Sequence, residues 1–214
     1  MSKENVNAVD EALKLPGKKE FEQVLTKKLA AGEEAESNNL IVVLTDVDNF
    51  LRVNENFGFE KGDEVLIAIG RHLAANLSDD AQLFRLHGDS FAILFDGEKE
   101  KEDVFLLMEK VRESLDVKLP DGSPMTISIG VAAAFDDASR YFELIRKADG
   151  ALFRSKTGGR NRVALAREEK MVTKTSHYTT DQLKRLTLLS KQDGVGEAVL
   201  LREALDMLLN KYSH

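Results

Sequence analysis

The stretch "RLHGDSFAIL", Arg85 to Leu94, is two short apolar runs meeting at a turn that holds a carboxylate, Asp89, and a hydroxyl, Ser90, beside the small Gly88. More acids lie upstream, where the β-branched and leucine run "LIVVLT" (Leu40 to Thr45) passes directly into "DVDNF". That pattern predicts a buried strand delivering Asp46 and Asp48 to its end. Carboxylates so placed serve as hard oxygen ligands for a cation or as acid–base groups. The chain has no cysteine, which excludes disulfides, thiolate zinc sites and cysteine nucleophiles, so a metal here would need oxygen or imidazole ligands. Taken singly, Asp89 and Ser90 are ordinary turn residues and Asp46 an ordinary strand end or helix cap.

These groups need a scaffold. A helix is predicted from Lys18 to Ala31, ahead of the Leu40 strand, and "FEKGDEVLIAIGRHLAANL" places Val65, Ile69, Leu73 and Leu77 at helical spacing. The runs on either side of His87-Gly88 form a hairpin, Glu102 to Leu115 a helix, and "MTISIGVAAAF" a strand. In "SRYFELIRKADGALFRSK", Phe142, Ile145 and Leu152 share one side of a helix that ends before Gly158-Gly159, and "RVALA" closes the sheet. Strands interleaved with helices, but with a hairpin in the middle, give an α/β fold whose mixed sheet is covered by helices. His87 reads as an exposed turn residue and His72 as helix surface.

The 214 residues, 43% of them hydrophobic, suffice for one full domain and a small second one. The charged stretch "AREEKMVTKT" has no apolar periodicity and reads as a linker, so the expected domains are residues 1–166 and 167–214. The net charge is −7, unevenly spread: residues 1–169 carry 23 Lys and Arg against 32 Asp and Glu, whereas the remainder carries seven against five. A strongly acidic first part argues against indiscriminate nucleic-acid binding there. With no bilayer-length apolar run and no apolar stretch at the N-terminus, a cytoplasmic protein without a membrane partner is expected.

Three stretches, "LTDVDNFLRVNENFGFEKGDEVL", "FRLHGDSFAILF" and "KADGALFRSKTGGRNRV", resemble in order and spacing the signatures of GGDEF (diguanylate cyclase) domains, and "LPGKKEFEQVL" is similar to a worn N-terminal signature. The resemblance covers about residues 10–166 and implies a nucleotide-cyclase palm. It also implies that Asp46 and Asp89 hold magnesium ions bridging GTP phosphates, that Asn54 and Asp63 bond guanine, and that Lys156 and Arg160 meet the phosphates. Members that make cyclic di-GMP carry Glu where this chain has Ser90 and Lys where it has Leu51, and His87 replaces the first Gly of the turn. The inhibitory RxxD site of the family falls on "SDDA", Ser78 to Ala81, which keeps neither end.

The tail has its own pattern. Thr179 and Gln182 have capping-box spacing before a helix with Leu183, Leu186 and Leu189 on one face. Asp193-Gly194 stops it, and a second helix aligns Leu201, Leu205, Leu208 and Tyr212. The pattern resembles ribbon-helix-helix modules, which fold as intertwined dimers with a two-stranded ribbon in the DNA major groove. That resemblance implies base contacts from Thr173, Thr175 and His177, with Lys174 and Ser176 turned inward. Glu197, at the start of the second helix, is a departure, because a carboxylate there repels the DNA phosphate expected at that helix terminus. Lys170, Lys174 and Lys191 are the candidate cations.

Together the two resemblances imply a dimeric, DNA-binding transcription regulator with a catalytically degenerate GGDEF domain that senses GTP, with magnesium, or cyclic di-GMP. A weak diguanylate cyclase or GTP hydrolase, and a dimerisation scaffold that binds neither ligand, are the alternatives.

Overall fold

The computed structural model describes residues 8–32, 39–167 and 174–212. The chain divides into two compact units, Met1–Glu168 and Glu169–His214. In the first, five strands form one sheet in the order β2-β3-β1-β4-β5. They are β1 Asn39–Val47, β2 Ala81–His87, β3 Ser90–Gly97, β4 Ile127–Ala133 and β5 Val163–Leu165. The pairs β1–β3, β1–β4 and β2–β3 are antiparallel, and β4–β5 is parallel, so the sheet is mixed as the sequence predicts.

The helices of this unit are α1 Ala8–Leu13, α2 Lys18–Gly32, α3 Phe50–Phe57, α4 Phe59–Ala75, α5 Lys101–Glu113 and α6 Tyr141–Thr157. Strand β1 is apolar without alternation because it is the middle strand and both its faces are covered. Ile41, Val43 and Val47 pack with Val65, Ile69 and Leu73 of α4 and Val104, Met108 and Val111 of α5. Leu40, Val42 and Leu44, on the other face, pack with Phe21, Leu25 and Leu29 of α2 and Leu144, Ala148 and Leu152 of α6. The period of two therefore puts Asp46 on the α6 side of the sheet.

Several local expectations are corrected. Helix α1 was not foreseen from the sequence; Val9 fixes it by complete burial, and the Arg85–Asp10 ion pair of 2.8 Å adds to it. Helix α3 was also unforeseen, and Gly58, at φ 84, separates it from α4 in a conformation that side-chain-bearing residues avoid. Phe142 is 56% exposed, and the buried face of α6 is Leu144, Ala148, Ala151 and Leu152 instead. His72 is half-buried, with Nε2 2.8 Å from the Val111 carbonyl oxygen, so it ties α4 to α5.

The second unit contains α7 Thr180–Asp193 and α8 Glu197–Tyr212. The predicted capping box is formed: the Gln182 amide donates to Thr179 Oγ1 at 3.2 Å and the Thr179 amide to Gln182 Oε1 at 2.9 Å. Gly194 closes α7 in the left-handed region at φ 64. No residue of α7 is buried, and Leu183, Leu188, Leu189, Leu205 and Leu208 are 43–61% exposed. Lys174 to Thr179 are all exposed and carry no regular secondary structure, so in this single chain Lys174 and Ser176 are not turned inward. Thr173 and Lys170 lie outside the described residues. Among the described residues no helix is long and apolar enough to cross a membrane.

Strand β4 meets α6 at Gly130, where an added Cβ would lie 2.3 Å from both the Ala148 carbonyl oxygen and the Leu152 amide nitrogen. Because both are backbone atoms, the helix itself must move to make room. Gly130→Ala is expected to lower stability by about 2–3 kcal/mol, measured by urea unfolding, and to weaken any ligand contact made from the end of α6.

Candidate functional site

The site begins with the register of the middle strand. Asp46 stands opposite Ser90 of β3 and Ser128 of β4. The β2–β3 turn bends through Gly88 at φ 55, and its Asp89 carbonyl accepts from the Val47 amide at 3.2 Å. The turn is thus laced onto the end of β1, which draws Asp89 beside Asp46.

Two donors hold Asp46. The Ser90 hydroxyl donates to Oδ2 at 3.0 Å, and the Lys156 ammonium lies 2.8 Å from Oδ1. Lys156 belongs to the last turn of α6, whose position is secured by the buried Ser155 hydroxyl donating to the Ile129 carbonyl at 2.7 Å. Burial, reinforced by the negative charge of Asp46, pushes the Asp89 carboxyl up to about 6, while the Asp89 amide and Lys156 pull the other way. Two acids compressed in this way suit a cation, and carboxylate oxygens are the donors magnesium prefers. Among the described residues no three His, Asp or Glu side chains gather around one point, so phosphate, water or main chain would have to complete such a shell.

Asp48, the second acid of the strand end, has a different part, which the sequence did not reveal. It is buried and accepts from Thr126 Oγ1 at 2.7 Å, Ser128 Oγ at 2.7 Å and the Asn161 amide at 3.0 Å. Three donors satisfy the charge and leave it no call on a ligand. Through Asn161 it pins the turn after α6, where Arg160 and Asn161 both adopt the left-handed region at φ 62 and 46. Only the adjacency of two acids in "DVDNF" hints at this in the sequence.

No described hydrogen bond or ion pair joins the remaining predicted residues to Asp46 or Asp89. Arg160 is exposed on that pinned turn, and its side chain pairs with no described residue. Asn54 of α3 and Asp63 of α4 are half-buried, and Asn54 lies over Gly62, where a Cβ would come within 2.0 Å of its Oδ1. Asn54 Oδ1 is buried without a hydrogen-bond partner, so α3 and α4 leave one polar atom unsatisfied. Leu51 is 64% exposed at the start of α3, and His87 is exposed at the turn. In "SDDA", Asp80 is engaged internally: Lys99 lies 2.7 Å away and, with Ser78, holds its carboxyl below the usual range.

Asp89 makes the fold pH-dependent. Its carboxyl binds a proton more tightly in the folded chain than in the unfolded one, so its contribution is favourable at low pH and is lost as pH rises from about 4 through about 6. Asp89→Asn should therefore be more stable than the parent at pH 7.5, by about 2 kcal/mol, and the advantage should shrink toward zero near pH 4. Urea unfolding at the two pH values measures both.

Comparison with known proteins agrees with this architecture. Residues 7–162 match the family described as diguanylate cyclase, GGDEF domain, and residues 171–213 match the ribbon-helix-helix domain. The "Probable diguanylate cyclase DgcC" of Escherichia coli K12 is 34% identical over 128 residues, which is 58% of this chain and 34% of that protein. The chain thus spans about a third of the length of that relative. The crystal structure of the GGDEF domain of PA1120 (YfiN or TpbB) from Pseudomonas aeruginosa is 28% identical, with a TM-score of 0.67 over 73% of this chain and 99% of that one. The coiled coil and GGDEF domain of DgcB from Caulobacter crescentus, in complex with c-di-GMP, is 25% identical, with a TM-score of 0.66 over 73% and 84%. The chain belongs to the GGDEF diguanylate cyclase family and continues into a ribbon-helix-helix domain.

Proposed function

We propose that this chain is a cytoplasmic transcription regulator in which a catalytically degenerate GGDEF domain holds a guanine nucleotide, GTP with magnesium or cyclic di-GMP, and a dimeric ribbon-helix-helix module contacts DNA. The observation that carries the loss of turnover is the Ser90 hydroxyl donating to Asp46. A hydroxyl so used is neither a base nor an added negative charge, and Leu51 puts an exposed hydrocarbon where the makers of cyclic di-GMP have a cation. Each loss removes roughly 10²–10³ in rate where the missing group stabilises charge in the transition state. The groups expected to grip a ligand are present in the chain: Asp46, Asp89 and Lys156 converge, the Arg160 side chain pairs with no described residue, and the buried Asn54 Oδ1 has no hydrogen-bond partner among the described residues.

The ligand-binding residues would act without moving covalent bonds. Lys156 and Arg160 neutralise phosphate, Asn54 and Asp63 bond the purine edge, and Asp46 and Asp89 hold the magnesium, which supplies charge neutralisation to the phosphates when bound. In the tail, a 46-residue unit is too small to bury its own leucines, so a second copy covers them. Thr175 and His177, both exposed, are the described base-contact candidates, with Thr173 before them in the chain. The Glu197 departure is softened, because Thr187 Oγ1 donates to Glu197 Oε1 at 2.6 Å and draws the carboxylate toward α7. A residual cyclase or GTP hydrolase activity is the second reading, favoured by the convergence of Asp46, Asp89 and Lys156.

Calorimetry should give saturable binding of GTP or cyclic di-GMP, while chromatography after incubation with GTP and magnesium should find no cyclic di-GMP formed at ordinary enzymic turnover. Product formed at such a rate would overturn the degenerate reading, and absence of binding would overturn nucleotide sensing. The double substitution Ser90→Glu with Leu51→Lys should restore synthesis if the rest of the pocket is intact. Full-length chain should run as a dimer, and its anisotropy-measured affinity for duplex DNA should fall steeply between 50 and 200 mM salt, roughly in proportion to the phosphates contacted.

A further inference from the structure

Helices α3 and α4 come together over a residue that has no side chain. Gly62 is buried near the start of α4, and a Cβ built there would lie 2.0 Å from Asn54 Oδ1 and 3.2 Å from both Asn54 Cγ and Phe50 Cζ. The Asn54 amide therefore stands in the space that a methyl group would need. Backbone conformation does not call for this glycine, because its φ is not positive, and within a helix glycine is a poorer former than alanine. What it supplies is room for Asn54.

The main chain beneath the contact is fixed. The Gly58 amide donates to the Asn54 carbonyl at 3.0 Å and the Gly62 amide to the Gly58 carbonyl at 3.2 Å, so the two helices are joined through the one glycine between them. A methyl group at position 62 meets first the far end of the Asn54 side chain, whereas at Gly130 it meets main chain. Turning Asn54 about its side-chain bonds makes room at position 62 without moving a helix. The fold can accept that change, but the amide then leaves its place.

That place matters because Asn54 Oδ1 is buried and accepts from no described residue. A buried acceptor is costly until a donor arrives. The edge of guanine offers an N1–H and a 2-amino group, where adenine has a bare ring nitrogen and a carbon-bound hydrogen. We propose that Gly62 is a positioning residue for base selection: by having no side chain it sets the Asn54 rotamer that leaves Oδ1 ready to accept from a guanine N–H. This deepens the guanine-nucleotide reading and rests on it.

The test uses the full-length chain with GTP and magnesium in calorimetry, ATP being measured by displacement of GTP. Gly62→Ala should weaken GTP about tenfold, the worth of one neutral hydrogen bond, and leave ATP and the urea midpoint unchanged, so that selectivity narrows. Asn54→Ala should lose as much, and Gly62→Ala added to Asn54→Ala should lose nothing more, because there is no longer an amide for the methyl to displace. Equal weakening of GTP and ATP in Gly62→Ala, unchanged GTP affinity, or losses that add in the double variant overturn the positioning role while leaving nucleotide binding intact. Absence of any GTP binding by the parent chain overturns the guanine assignment of Asn54 and this proposal together.

Discussion

A carboxylate at the end of a buried strand has to be given donors, and the arrangement of this domain follows from how two of them are supplied. Strand β1 is the middle of the sheet, so its terminal acids emerge between β3, β4 and the end of α6 rather than into open solvent. Asp46 is answered by one hydroxyl and one ammonium, Asp48 by two hydroxyls and one backbone amide. The cost of leaving either charge unpaired in such surroundings is several kcal/mol, so the donors are structural requirements before they are functional ones. Asp48 is closed from all sides and acts as a rivet. Asp46 is closed by groups that a phosphate or a cation can engage in turn, and that difference separates the scaffold from the site.

How much of this is visible in the sequence depends on the range of the interaction. The middle strand, the hairpin and the helix from Val65 to Leu73 are each declared by local periodicity, because burial on one or both faces fixes which residues can be apolar. Helix α1 escapes because its stability comes from Val9 and from Arg85, 75 residues further on. Helix α3 is written locally, in Phe50, Val53 and Phe57 at helical spacing, but its eight residues between Asn49 and Gly58 read easily as a loop leading into α4. Phe142 misleads because it outweighs the small residues of the true buried face: Leu144, Ala148, Ala151 and Leu152 do follow helical spacing, but two of the four are alanines, as the close approach to Gly130 at Ala148 requires. At the site, residue type draws attention to the acids Asp46 and Asp89, and only the resemblance to the family singles out Lys156, yet the part played by Asp48 is contained in Thr126, Ser128 and Asn161, which no local pattern joins to it.

The second unit obeys a different economy. Its capping box and its αL glycine specify the start and stop of α7 from sequence alone, since both are contacts within four residues. What they cannot supply is a core. With no buried residue in α7 and leucines open on both helices, the unit is locally specified but globally incomplete. A strand pair formed between copies would explain why Lys174 to Thr179 carry no regular structure in one chain, because a ribbon strand has no partner until the dimer forms.

On the proposed reading, a catalytic domain has become a binding one. Chemistry at phosphorus needs charge that can be redistributed as bonds change, whereas grip needs charge that stays where it is. Exchanging an acid for Ser90 and a cation for Leu51 removes the redistributable charge. It leaves Asp46 tied to Lys156, an ion pair whose net charge is zero and whose lysine stands on a helix held by Ser155 and Gly130. Only Asp89 remains out of balance, held toward its protonated form by burial and by Asp46. On the proposed reading the site takes up a cation with the phosphates that accompany it, and the energy released on their binding is available to shift the protein's conformation instead of driving a reaction.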